Sequence, residues 1–112
     1  MSDCIFCKII ADDIPSDKVY EDDKILVFKD IAPKAPTHLL MIPKQHIESL
    51  AEVTEQDADI MGYMMTKVPQ LAKDAGLSGG FRTIINTGDD GGQEVYHIHI
   101  HILGGGGRLP FA

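Results

Sequence analysis

The chain has 112 residues, 44% of them hydrophobic, which suits one domain with a core of its own and leaves no room for a second. Ten basic residues against seventeen acidic ones give a net charge of −7, a balance that argues against an extended nucleic-acid backbone as ligand. No apolar run approaches membrane-spanning length and no basic segment leads into a signal-like core, so the expected compartment is the cytoplasm.

In chain order, the first feature is Cys4-Ile5-Phe6-Cys7, which holds both cysteines. In a reducing compartment such a pair points to metal binding or redox work more than to a structural disulfide. Thioredoxin-like exchange would place it after a strand, and only three residues precede Cys4, so half a zinc site is the better reading. A short helix is expected from about Ile5 to Ala11, ended before Pro15. Val19 to Glu21 and Lys24 to Asp30 read as a hairpin turning at Asp22-Asp23. Prolines at 33 and 36 interrupt the pattern, and His38 to Ile42 resumes as a buried strand closed by Pro43.

Thr54-Glu55-Gln56-Asp57 has the composition of a helix N-terminus, with a hydroxyl for the free amides and acids in the first turn. The helix that follows carries Met61, Met64, Met65, Val68, Leu71, Ala72 and Ala75 at three- and four-residue steps and stops at Gly76. Pro69 within it is expected to kink or split it. The methionine stripe suits a core or a subunit interface. Phe81 to Asn86 alternates as a fourth strand, and Gly88-Asp89-Asp90-Gly91-Gly92 turns the chain into the next.

That next run is Val95-Tyr96-His97-Ile98-His99-Ile100-His101-Ile102-Leu103 and holds three of the five histidines. On a strand, His97, His99 and His101 share one face about 7 Å apart while the isoleucines enter a core. Protonating one imidazole makes its neighbours costly to protonate, so such a cluster favours function: a phosphate site, or a catalytic zinc held by all three with a position open for water. Gly104 to Gly107 is expected to free residues 108–112 as a tail. Strands, helix, then strands with short connections predict an α+β domain, an antiparallel sheet of about five strands with one long and one short helix.

Several ordered blocks make the chain similar to the histidine triad family, in its nucleotide-binding branch. They are His97 to Leu103 preceded by Gly91-Gly92-Gln93-Glu94-Val95-Tyr96, then Ile5-Phe6-Cys7-Lys8-Ile9-Ile10, Phe28-Lys29-Asp30-Ile31, Ala35-Pro36-Thr37-His38 and Pro43-Lys44-Gln45-His46. The resemblance implies hydrolysis or transfer at the α-phosphorus of a purine nucleotide conjugate, commonly a nucleoside phosphoramidate, through a covalent nucleotidyl-histidine. By position in the motif His99 is the nucleophile, His101 the donor to phosphate oxygens and His38 the residue that orients the cluster. A neutral imidazole is a competent nucleophile near neutral pH, provided an acceptor holds the proton on its other nitrogen.

The resemblance also implies Asp30 at the ribose, Ile5, Phe6, Ile9, Phe28 and Ile31 around the base, Asn86 near ribose and phosphate, and Gln93 and Glu94 at the phosphate or leaving group. Some relatives have serine where this chain has Glu94, a carboxylate that would repel a phosphate. Four glycines precede Arg108 where relatives commonly have two before a basic residue. The family pairs its sheets across a two-fold axis, which with the methionine-rich helix predicts a homodimer. Some bacterial relatives bind zinc away from the reaction centre, and the matching set here is Cys4, Cys7, His46 and His97, two thiolates and two imidazoles for a closed structural site. A nucleotide-sensing or partner-binding module without turnover is the competing class of function.

Overall fold

The computed structural model describes residues 3–111. Its elements are α1 (Ile5–Ile10), β1 (Lys18–Glu21), β2 (Ile25–Lys29), β3 (Thr37–Pro43), α2 (Ala58–Asp74), β4 (Phe81–Ile84) and β5 (Ile100–Gly104). The five strands form one antiparallel sheet in the order β1-β2-β3-β5-β4. This is the expected α+β architecture, one long and one short helix included.

Strand alternation divides the core into two. Ile25 and Val27 of β2, Leu39 and Met41 of β3, and Ile100 and Ile102 of β5 point to one face, where Met64, Val68, Leu71 and Ala72 of α2 cover them. Leu26, Phe28, Leu40 and Ile42 point to the other, where they meet Phe6 and Ile9 of α1. Leu40 lies opposite His101 across the ladder, so His101 and, two residues before Leu40, His38 share the α1 face.

The long helix starts where expected. Thr54 and Asp57 close a capping box ahead of it, and Gly76, at φ 81°, ends it. Pro69 does not split it: the helix runs unbroken from Ala58 to Asp74, with Pro69 and Met65, the residue whose carbonyl the proline leaves without a donor, both exposed. Met64 is core as read, whereas Met65 stays 46% exposed.

Two expectations need correction. The histidine strand begins at Ile100, not near Val95. Continuing the Met41–Ile100 register would set Ile98 opposite Pro43, which has no N–H for a ladder, and the Ile98 N–H instead donates to the Ile47 carbonyl at 2.7 Å. His97, at a bend, and His99 therefore sit on irregular chain just before the strand. The tail is also not free: Arg82 of β4 donates from Nη2 to the Leu109 carbonyl at 3.0 Å and from Nη1 to that of Pro110. Of that tail, Ala112 lies outside the described residues.

Candidate active site and metal cluster

A pocket of about 490 Å³ opens on the α1 face of β3 and β5, with His38, His99 and His101 in its wall. The hydrogen bonds assign their protons. His99 Nδ1 lies 2.8 Å from the His97 carbonyl oxygen, an acceptor only, so Nδ1–H donates and Nε2 keeps its lone pair. That carbonyl is the acceptor a nucleophilic imidazole needs, found two residues back in the chain. The Lys34 N–H donates to His38 Nδ1 at 3.0 Å, so His38 carries its proton on Nε2, 2.9 Å from His101 Nδ1 and 3.3 Å from Asp30 Oδ2. His101 Nδ1 then accepts and its Nε2–H is the donor, buried and without a partner among the described residues. The rings of His99 and His101 lie 4.9 Å apart between centroids. A lone pair thus stands beside an uncommitted donor on one pocket wall.

Electrostatics keeps the cluster neutral. Burial holds His38 and His99 below the ordinary imidazole range and, with the His99 and His38 rings beside it, pushes His101 down to about 4. Asp30, His38 and His101 come within ligand distance of one another. They suit a cation poorly, because the Lys34 N–H occupies His38 Nδ1 and leaves the other nitrogen protonated.

His97 belongs to a different group. Its Nε2–H donates to the Pro43 carbonyl at 2.8 Å, which turns the Nδ1 lone pair toward Cys4 Sγ at 3.3 Å, Cys7 Sγ at 3.6 Å and His46 Nδ1 at 3.2 Å. Cys7 Sγ lies 3.4 Å from His46 Nδ1. Zinc bonds of about 2.0 Å to nitrogen and 2.3 Å to sulfur in a tetrahedron separate the ligand atoms by roughly 3.3–3.8 Å, so the four residues fit the ion. Burial pushes His97 down to about 4, leaving a neutral ring ready to ligate. Because His97 faces this cluster, the three strand histidines do not converge on one point, and a catalytic zinc held by all three finds no support.

The other expected residues scatter. Asn86 and the exposed Glu94 stand at the pocket rim, and Asp30 lines it with Oδ1 accepting the Ala32 N–H at 2.8 Å. Phe6 is buried with its ring edge-on to His99, centroids 5.1 Å apart. Ile9 of α1 and Phe28 lie in the core between that helix and the sheet, Ile5 is 45% exposed, and Ile31 is wholly exposed.

Gln93 departs most from its implied place at the phosphate. It is buried, its Oε1 accepts the Gly88 N–H at 2.9 Å, and its Nε2 donates to the carbonyls of Glu48 at 2.7 Å and Val95 at 3.1 Å. The whole carboxamide is spent on main chain, tying the glycine-rich turn to the loop after β3. Within that turn glycine is obligatory at 91, where a Cβ would lie 2.3 Å from the Thr87 carbonyl oxygen.

Sequence reasoning missed Lys34, Arg82, Leu109 and Pro110, all in the pocket wall. Arg82 had a signal, since it alternates with Ile84 and lies opposite Leu103 on the pocket face, but only the strand pairing makes that signal readable. Lys34, between two prolines in a stiffened loop, acts through its main-chain N–H, which sequence does not mark.

Among the described residues no helix is long and apolar enough to cross a membrane. The family model described as scavenger mRNA decapping enzyme C-term binding matches residues 3–109. The chain is 57% identical to Protein HitA of Neisseria gonorrhoeae over 104 residues, 93% of this chain and 97% of that one. It is 50% identical to the 14 kDa zinc-binding protein of Zea mays over 106 residues, 93% and 83% of the two chains. Among solved structures, a histidine triad protein from Clostridium difficile superposes with a TM-score of 0.94 at 48% identity, covering 100% of this chain and 97% of the other. A HIT family hydrolase from Legionella pneumophila gives 0.90 at 46%, covering 96% and 95%. With two imidazoles aligned in a pocket on the α1 face of this sheet, and with likeness along almost its whole length to histidine triad proteins, a HIT family hydrolase among them, the chain belongs to the histidine triad family.

Proposed function

We propose that the protein hydrolyses purine nucleoside phosphoramidates, or related nucleotide conjugates, at the α-phosphorus through a nucleotidyl-His99 intermediate. One observation carries the reading: His99 is held in the tautomer whose Nε2 lone pair is free, next to the His101 donor that has no partner among the described residues. Nε2 attacks phosphorus, the bond from phosphorus to the leaving nitrogen breaks, and that nitrogen takes up a proton and departs as the amine. The His101 Nε2–H stabilises the charge that builds on a non-bridging oxygen, and His38, oriented by Lys34 and Asp30, fixes the His101 tautomer. Water then attacks the phosphorus, and the bond from phosphorus to His99 Nε2 breaks with its electron pair returning to the nitrogen. The proton that water sheds to solvent offsets the one the amine took from solvent, so the nucleotide leaves and His99 is neutral again.

Asp30 is assigned to the ribose hydroxyls, Phe6 to the floor beside the nucleophile, and Glu94 to the side of the pocket where the amine leaves. No metal takes part in these steps. Zinc at Cys4, Cys7, His46 and His97 supplies a structural closure of the N-terminal segment. A two-fold dimer of this chain is the assembly we infer, resting on the exposed edge strand β4 and the exposed Met65 and Phe81.

The test is to incubate pure protein with adenosine phosphoramidate, follow release of the nucleotide, and trap the intermediate for mass spectrometry. Turnover with a nucleotidyl group mapped to His99 supports the reading. Nucleotide binding without turnover returns the protein to the class of sensing modules.

A further inference from the structure

We propose that His97 is a positioning residue that ties occupancy of the Cys4, Cys7, His46 and His97 cluster to the orientation of the His99 nucleophile, a proposal that rests on the reading of His99 given above. His97 has three commitments. Its Nδ1 faces the two thiols and His46, its Nε2–H donates to the Pro43 carbonyl, and its own carbonyl accepts the His99 Nδ1–H. The segment from His97 to His99 precedes β5, so no ladder bonds hold that carbonyl in place. What holds it is the His97 ring, clamped between Pro43 and the cluster. The Ile98 N–H adds one anchor, and its acceptor is Ile47, the neighbour of the ligand His46.

A second path runs through Phe6, which lies between Cys4 and Cys7 in the chain. Its buried ring packs edge-on against both His97 and His99, with centroids 5.9 and 5.1 Å away. The polar and the apolar support of the nucleophile therefore both trace to residues flanking or forming the cluster. Helix α1 is six residues long, too short to hold itself, so its place depends on Phe6, Ile9 and the two cysteines. Without an ion, the two thiols and two imidazole nitrogens, 3.2–3.6 Å apart, are joined only by hydrogen bonds, those from the thiols being weak. As they separate, the His97 ring loses a constraint, its carbonyl moves, and His99 is free to rotate or to carry its proton on Nε2. That tautomer offers phosphorus no lone pair.

A merely structural staple would lower melting temperature and leave chemistry alone in protein that stays folded. The experiment compares zinc-replete wild type, metal-stripped wild type, His46→Ala, and His46→Cys, which restores a four-ligand set. Each is studied below its melting temperature. Steady-state hydrolysis of adenosine phosphoramidate gives kcat and KM, and nitrogen-15 spectra of the histidine rings give the His99 tautomer without any reaction. In stripped protein and His46→Ala we expect kcat to fall roughly 10–100-fold, the range seen when outer-sphere partners are lost, with KM changed less than about threefold. The His99 ring should pass from a single Nδ1–H form to a mixture, and zinc-loaded His46→Cys should recover both readouts.

An unchanged His99 ring signal and unchanged kcat in folded, metal-free protein overturn the proposal. Should the metal-free forms unfold, zinc-loaded His97→Cys decides: it keeps a closed ligand set but loses the bond to Pro43. There the proposal expects the same drop in kcat and the same mixed His99 signal, and wild-type values of both refute it. If zinc-replete wild type neither turns over nor becomes nucleotidylated, the proposed function fails, while the ring spectra still report whether cluster and nucleophile are coupled.

Discussion

Replacing Gln93 by leucine keeps the side-chain volume and removes every polar atom from a carboxamide that makes three main-chain hydrogen bonds. Each is worth about 1 kcal/mol net, so Gln93→Leu should destabilise the protein by roughly 3 kcal/mol. For a domain of this size about 4 °C of melting temperature follows each kcal/mol, which puts the expected fall near ~12 °C. Gln93→Glu sharpens the test. One oxygen still accepts the Gly88 N–H, but the other is pressed against the carbonyls of Glu48 and Val95, so the loss should be at least as large at neutral pH and should ease as the carboxyl is protonated. Thermal melts without nucleotide, read alongside KM for the phosphoramidate, separate a main-chain tie from a phosphate ligand. A leucine variant that melts with wild type but binds substrate more weakly would refute the structural role and return Gln93 to the phosphate.

Four further outcomes are expected. His99→Ala should keep its fold and bind nucleotide while hydrolysis falls at least about a thousandfold, as loss of a nucleophile demands; a rate near wild type, measured by amine release, rules the mechanism out. Protein purified without added zinc should carry close to one zinc per chain by elemental analysis, falling sharply and with a lower melting temperature in Cys4→Ser and Cys7→Ser; metal-free wild type of equal stability would end the zinc assignment. Light scattering over a micromolar dilution series should return twice the chain mass, and a monomer throughout counts against the dimer. Acid should destabilise the fold through His101. Its folded-state value near 4 lies below the ordinary 6.5, so the unfolded chain binds the proton first; stability is complete above about pH 6.5 and drains away toward pH 4, by on the order of 3 kcal/mol from this one ring. Denaturant melts at about pH 7 and pH 4.5 check this, and His101→Gln should lessen the difference while leaving the part that His38, His97 and His99 contribute.

Much of this was legible in the chain. Alternation through Ile98, Ile100 and Ile102 announced which side of the strand enters the core, and the pairing of Cys4 with Cys7 announced half of the group that these residues form with His46 and His97. The α2 start at Thr54 and stop at Gly76 follow from local chemistry alone, so sequence suffices there. What escaped reading depends on distant main chain. Nothing in the identity of Gln93 tells that its partners are the carbonyls of Glu48 and Val95, and nothing in Arg82 tells that the tail returns to it. The start of β5 was misplaced for a related reason: the obstacle is Pro43, far away in sequence and adjacent only once β3 and β5 have paired.

The sheet's division into an α2 face and an α1 face bears on how the protein tolerates change. Substitutions among Met64, Val68, Leu71 and Ala72 are felt by Ile100 and Ile102, whose side chains point away from the imidazoles, so they should alter stability with little effect on chemistry. On the other face Phe6 serves the core, the histidine cluster and the cysteine segment together, and no substitution there touches only one of them. Laboratory evolution of this domain should accumulate stabilising mutations behind the sheet freely and independently, while changes in front of it come only in coupled sets.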